Sequence, residues 1–317
     1  MRYTGVSVRS NIIVFASLIA IVLVSSSTMA APENDKETTS KKLLVATNWK
    51  CSIESPSVAD DLVAAMNEMW SGLDSSVKDA VELSVHPPYV FLDRVRRDLD
   101  PEIAVGSQNV YDAAFPNKGN TAATTPAMLG GLGIGWVLLG HSDRRNNLGE
   151  TDPLIADKAA SVIEAGLGIV LTLGETRAQR DAGETLAVLE KQLGTVAAAI
   201  PPEASVWSRV ALAYEPVWAV GEGATPCDPA EAQRVHAALR SFLERTVSVE
   251  AAGACRITYT GSVNPGNAAG YAGLPDVDGF VVGRAGLDAA KLGSILSTLS
   301  STKAAAVAAA AESGAEL

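Results

Sequence analysis

The chain has 317 residues, 47% hydrophobic and 5% aromatic, enough for one large core without requiring two. Its formal net charge is −11 and basic stripes are absent, which argues against a nucleic-acid-binding surface. The three cysteines (Cys51, Cys227, Cys255) form no C-x-x-C pair, and the three histidines (His86, His141, His236) are too few for a His-rich metal site.

In chain order, Arg2 and Arg9 precede an apolar run from Ile12 to Val24, and Thr28 and Ala30 follow as small residues. This is the order of a secretory signal, with cleavage expected after Ala30. The apolar run is shorter than the roughly 20 residues of a membrane span; an uncleaved anchor is the alternative. The expected divisions are a signal sequence at 1–30, a polar linker at 31–42, a folded body at 43–299 and an Ala-rich tail at 300–317. The tail reads as a frayed helix or a disordered segment. The odd cysteine count argues against a disulfide framework despite the secretory route.

Short apolar runs then recur at Leu43–Asn48, Val81–His86, Ile103–Asn109, Trp136–His141, Gly168–Gly174, Val210–Glu215, Arg256–Ser262 and Gly279–Gly283. Continuous apolar runs suit strands buried on both faces, as in parallel sheets. Helical patterns lie between them, at Ser57–Trp70, Asp152–Ala165, Thr185–Ala199 and Pro229–Thr246. Asp228-Pro229-Ala230-Glu231 has the Asp cap, first-turn Pro and following Glu of a helix start. Alternating strands and helices predict a (β/α)8 barrel, an α/β fold; an open doubly wound sheet is the runner-up.

A barrel gathers its chemistry at the C-terminal strand ends. Those ends carry Asn48 and Lys50, Gln108 and Asn109, His141, Gly174 and Glu175, Glu215, Ser262, and Gly283. Glu215 suits a general base beneath a Gly-punctuated lid, His141 a proton carrier or carbonyl polariser, and Lys50 a cation for a developing oxyanion. Each alone also fits an ordinary strand-end side chain. With a helix starting at Ser142, its positive end favours a neutral His141 ring. Asp143, Arg144 and Arg145 read as charge pairs bracing the site or as a solvated run, with Glu150 within reach of Arg145. Gly131, Gly133 and Gly135 precede a strand rather than follow one, so they read as a helix end and a turn, and NAD binding is discarded. Gly261-Ser262 and Gly283-Arg284, after the last two strands, suit a phosphate held by backbone N–H groups.

Asn48-Trp49-Lys50, Gly140-His141-Ser142-Asp143-Arg144-Arg145, Ala213 to Gly221, Tyr259-Thr260-Gly261-Ser262-Val263 and Asp278 to Gly283 stand in the order and spacing of triosephosphate isomerases. The chain resembles that family over about Leu43 to Leu299. The resemblance implies an aldose–ketose isomerase interconverting dihydroxyacetone phosphate and D-glyceraldehyde 3-phosphate, without cofactor or metal, in glycolysis, gluconeogenesis or carbon fixation. It assigns Glu215 as base, His141 as neutral electrophile and Lys50 as cation, with Asn48 beside it. It assigns phosphate contacts to Gly221, Ser262 and Gly283, and the lid to Pro216 through about Pro226. Base, electrophile and closing loop are this family's established roles, and here they come with the resemblance rather than from spacing.

The sequence departs from the family in places. Asp143 replaces Glu, with a shorter reach toward Lys50. The lid end Ala224 to Cys227 lacks the usual Lys, and Pro226 fixes a backbone angle there. Thr260 replaces Gly, narrowing the backbone options. Arg284 also replaces Gly and adds a phosphate cation or a surface charge. The resemblance further implies a homodimer through the loop Tyr111 to Pro126, whose tip counterpart is Thr121, although Ala122-Ala123 stands where the family has Gly-Glu. A non-catalytic secreted barrel is the competing function. The N-terminus directs the chain to the secretory pathway, ending in export or, through a two-step address, in a plastid, rather than in the plain cytosol.

Overall fold

The computed structural model describes residues 41–111, 121, 123–221 and 224–313. The expected signal sequence, nearly all of the linker, most of the third loop, the lid tip at Glu222 and Gly223, and residues 314–317 lie outside the described residues.

The strands are β1 (Leu43–Asn48), β2 (Val81–His86), β3 (Ala104–Ser107), β4 (Trp136–Leu139), β5 (Gly168–Leu173), β6 (Val210–Tyr214), β7 (Arg256–Tyr259) and β8 (Gly279–Val282). They form a closed parallel barrel in sequence order. Closure decides against the open sheet: β1 pairs with β2 from Leu43↔Val81 to Asn48↔His86, and with β8 from Leu44↔Gly279 to Thr47↔Val282. Several strands end earlier than their apolar runs predict. Ser107, Leu139 and Tyr259 close their strands, so Asn109, His141 and Ser262 stand in the loops beyond.

Strand side chains alternate, which divides the barrel into two apolar layers. Leu44, Ala46, Trp136, Leu138, Val170, Ala211, Ala213 and Val281 pack together as one cluster, the barrel filling. Their neighbours Leu43, Val45, Val137, Leu139, Val210 and Leu212 join the larger core shared with the helices. Two inward rows lead to the mouth in parity: 44, 46 to Asn48 at the end of β1, and 211, 213 to Glu215 just past β6. At the other end, Glu82 accepts from Trp136 Nε1 at 2.7 Å and pairs with Arg256 at 2.6 Å. Arg256 also lies 4.8 Å from the Trp136 ring centre. The first or second residues of β2, β4 and β7 thus close the barrel floor and leave the opposite mouth for chemistry.

The helices begin where short polar residues can occupy orphan N–H groups. Ser55 caps Pro56–Ser71, Thr125 caps Pro126–Gly131, and Thr151 caps Asp152–Glu164. Asp228 caps Pro229–Thr246 through Ala230 N at 2.8 Å. The Glu231 carboxylate does not turn back to the cap; it pairs with Arg234 one turn on. Gly131 ends its helix and Gly133, at φ 73°, makes the turn into β4. Beyond 299 the chain continues as helix Ala289–Ser313. Lys303 ties this extension down by donating to the carbonyls of Leu274, Pro275 and Val277.

All three cysteines are free, Cys51 exposed and the others buried. Burial pushes the Cys227 and Cys255 thiols up to about 12. No helix among the described residues is long and apolar enough to cross a membrane.

Candidate active site

A cavity of about 640 Å3 opens at the barrel mouth, lined by Asn48, Lys50, His141, Glu215, Gly221, Ser262, Gly283 and Arg284 among others. The fold therefore brings Asn48, Lys50, His141, Glu215, Gly221, Ser262, Gly283 and Arg284 to one space, whereas Gln108, Asn109, Gly174 and Glu175 do not line it. A second cavity of about 590 Å3 also reaches Glu215, between Gly140, Gly174, Gln179 and Lys191. It contains neither Lys50 nor His141, so the chemical groups converge only in the first.

Glu215 follows β6 and is 1% exposed. Its Oε2 accepts from Ser142 N at 3.0 Å, while Oε1 lies 3.3 Å from His141 Nε2 and has no hydrogen-bond partner. A buried carboxylate oxygen left without a donor is costly unless something fills its place. Gly174 makes this position possible: a methyl there would collide with the Glu215 carbonyl. Gln192 fixes Gly174 with two bonds, to its N–H at 3.0 Å and its carbonyl at 3.1 Å.

His141 is the residue before helix Ser142–Leu148. Gly140, at φ 72°, breaks the alternation of β4, and His141 caps the helix with its own ring. Its Nδ1 accepts from Asp143 N at 3.0 Å. A backbone N–H can only donate, so the ring proton sits on Nε2, the nitrogen beside Glu215.

Lys50 is the only non-glycine residue at positive φ, 49°, among the described residues. Such backbone costs free energy and persists only when its surroundings over-determine it. Here Asn48 Oδ1 accepts from Lys50 N at 3.0 Å, and Gln108 Nε2 donates to the Lys50 carbonyl at 2.8 Å. Asp143 Oδ2 meets Lys50 Nζ at 3.0 Å. The shorter carboxylate therefore does reach Lys50, contrary to the expectation from its length. Partial burial opposes ionisation of Asp143, but the hydrogen bond and charge of Lys50 outweigh it and hold the carboxyl below its ordinary range.

The neighbouring charges pair differently from the sequence expectation. Arg144, not Arg145, takes Glu150, at 2.7 Å; Arg145 pairs with Asp152 at 2.6 Å and donates to the Gly140 carbonyl. Glu150 also binds Lys158 at 2.7 Å and Asn109 at 2.8 Å. Burial works against its charge, yet these three donors hold its carboxyl below the usual range. The Asp-Arg-Arg run is thus a brace of the loop after β4 rather than a solvated stretch.

The two ends of the segment expected to form the lid are held by hydrogen bonds and ring contacts. Trp218 Nε1 donates to Glu175 Oε1 at 2.8 Å, Tyr214 donates to the same oxygen, and Arg180 lies 3.7 Å from the Trp218 ring centre. At the far hinge, Cys227 N donates to Tyr259 Oη at 3.3 Å and Tyr271 donates to the Cys227 carbonyl at 2.5 Å. The two tyrosine rings stack with centres 4.3 Å apart. Ser262 Oγ donates to the Ala219 carbonyl at 3.3 Å, and Thr260 Oγ1 is buried without a partner. Gln192, Arg180 and Tyr271 are not foreseen from sequence, since they act on residues 18 to 44 positions away and carry no local motif. Among the described residues, no three His, Cys, Asp or Glu side chains group as metal ligands.

A model of triosephosphate isomerases matches residues 43–299. The chain belongs to the triosephosphate isomerase family. It is 39% identical over 270 residues to the chloroplastic triosephosphate isomerase of Arabidopsis thaliana, covering 84% of this chain and 80% of that protein. It is 41% identical over 268 residues to the cytosolic triosephosphate isomerase of Stellaria longipes, covering 84% of this chain and 99% of that protein. To the cytosolic triosephosphate isomerase of Oryza sativa subsp. japonica it is 42% identical over 249 residues, 78% of this chain and 93% of that protein.

Proposed function

We propose that this chain interconverts dihydroxyacetone phosphate and D-glyceraldehyde 3-phosphate by proton transfer through an enediolate. The observation that carries the reading is the partnerless Oε1 of buried Glu215, beside the Nε2–H of His141 and in one cavity with Lys50.

A hydrogen beside a carbonyl is a weak acid, so its removal needs a desolvated base and a stabilised oxyanion. Glu215 takes the proton from the carbon next to the carbonyl. The C–H electron pair becomes the C=C bond, and the carbonyl oxygen takes up the negative charge. The His141 Nε2–H and the Lys50 ammonium face that oxygen, and His141 passes protons between the two substrate oxygens. The carboxylic acid of Glu215 then returns its proton to the adjacent carbon. Backbone N–H groups near Gly221, Ser262 and Gly283 hold the phosphate, with Asn48 supporting Lys50. Closure of Pro216 to Pro226 excludes water, which protects the enediolate from losing phosphate.

The protein acts as a homodimer through the loop carrying Thr121. Exposed Val90, Met128 and Leu148, on successive crossovers after β2, β3 and β4, offer apolar surface on that side of the barrel. The N-terminal signal pattern supports entry into the secretory pathway, with export or plastid delivery as its end; similar relatives include both chloroplastic and cytosolic enzymes.

The test is conversion in both directions by the purified mature chain, followed with coupled dehydrogenases. Turnover of both triose phosphates supports the reading. No turnover, with a protein partner whose binding survives Glu215→Gln, favours the non-catalytic barrel instead.

A further inference from the structure

His86 is fully buried and takes no part in the proton transfers described above. It ends β2, in register with Asn48 at the end of β1. With Glu82 and Ser84 it stands on the inward row of β2, so its ring lies inside the barrel at the mouth end. The registered pairs of β2 with β3 are Ser84↔Ala104 and Val85↔Val105, and none follows. The imidazole continues the connection where that ladder stops. Its Nδ1 lies 3.1 Å from the Ser107 carbonyl, which can only accept, so Nδ1 carries the ring proton. Nε2 then accepts from Ser84 Oγ at 3.2 Å. Burial keeps the ring neutral, pushing it down to about 4. Gly106 leaves the room for it: a methyl there would collide with the ring.

The ring matters because of what the carbonyl of the same residue carries. That carbonyl accepts from Trp49 N at 3.1 Å and from Gln108 Nε2 at 3.0 Å. The same Gln108 amide donates to the Lys50 carbonyl at 2.8 Å. Both bonds therefore bear on Lys50, whose backbone stands at φ 49°. Backbone in that region relaxes unless its surroundings fix it. We propose that His86 is a positioning residue for Lys50. Its ring pins the end of β2 to β3. The carbonyl so fixed holds, through Trp49 and the Gln108 amide, the backbone turn that aims the Lys50 ammonium into the mouth. The proposal rests on the role of Lys50 at the substrate oxygen given above.

The experiment is steady-state kinetics on the full mature chain and on His86→Ala, His86→Asn, Gln108→Ala and the His86→Ala/Gln108→Ala pair, each measured below its melting temperature. The relay predicts that His86→Ala lowers kcat about tenfold with a smaller change in KM, the scale of misplacing one oriented charge. His86→Asn, whose side-chain amide supplies an N–H in place of Nδ1–H, recovers most of the loss. In the double variant the two losses do not multiply, because both break one connection. A folded His86→Ala with wild-type kcat overturns the proposal. Losses that multiply also overturn it, leaving the ring as packing alone. Should His86→Ala not fold, the other two single variants decide. A wild-type kcat in Gln108→Ala overturns the relay, and a kcat about tenfold lower there, beside a nearly normal His86→Asn, supports it. A wild type that turns over neither triose phosphate overturns the underlying reading instead.

Discussion

At the scale of single residues, the site depends on side chains whose partners fix their roles. His141 has one possible arrangement of its proton because Nδ1 faces a backbone N–H. Lys50 has one possible direction because Asn48, Gln108 and Asp143 act on its N–H, carbonyl and ammonium in turn. Asp143 is a positioning residue, and the Lys50 pair is solvent-accessible, with side chains 42% and 55% exposed. Exposed pairs add little to stability, about 0–1 kcal/mol. Asp143→Ala is therefore expected to leave the melting temperature nearly unchanged while lowering kcat roughly tenfold with a smaller change in KM, the size of losing one oriented charge interaction. Asp143→Glu should recover most of the loss. Steady-state kinetics beside a thermal melt check this; a kcat equal to wild type in Asp143→Ala would mean that Lys50 is held adequately by its backbone alone.

At the scale of elements, the regular parts are legible because burial on both faces writes itself as unbroken Val, Ile and Leu. β1 and β2 and the helix Pro229–Thr246 have the bounds expected from sequence. The expected strand ends at Asn109, His141 and Ser262 overshoot, since apolar or polar identity does not reveal where ladder bonding stops. Gly140 ends β4 by its backbone angle, a fact carried by φ rather than hydropathy. The site residues are legible for a related reason: Lys50, His141 and Glu215 are polar groups placed where apolar runs end. Their braces are not. Proximity in sequence matches Arg145 with Glu150, whereas the turn of helix Ser142–Leu148 gives Glu150 to Arg144 and sends Arg145 to Asp152. Tyr271 reaches the far lid hinge across 44 residues, so only the folded barrel reveals it. The extension past Leu299 looks like a tail because it is rich in alanine and poor in large apolar residues, yet alanine is the best helix former, and Lys303 anchors it to the barrel.

At the scale of the whole molecule, buried neutral imidazoles link stability to pH. Burial pushes His86 and His236 down from 6.5 to about 4, against hydrogen bonds from their Nδ1 atoms to the carbonyls of Ser107 and Asp276. Unfolded rings bind protons below about 6.5 and folded rings do not until about 4, so the unfolded state gains protons as pH falls through this window. Their contribution is complete above 6.5 and drains away toward 4; Glu150 and Asp278, whose carboxyls are held low, add losses in more acid solution. The melting temperature should fall steadily between about pH 6.5 and 4.5, and less steeply in His236→Gln. A flat profile would contradict the buried neutral rings. The barrel brings one carboxylate, one imidazole and one ammonium to a single mouth, and among them Glu215 is the group assigned to move the proton between carbons. That assignment is decided by kcat for dihydroxyacetone phosphate in wild type and Glu215→Gln, with both proteins shown to be folded. A loss of about 10²–10⁴-fold is expected, the usual contribution of a positioned general base; a Gln variant turning over at the wild-type rate would rule Glu215 out as the base.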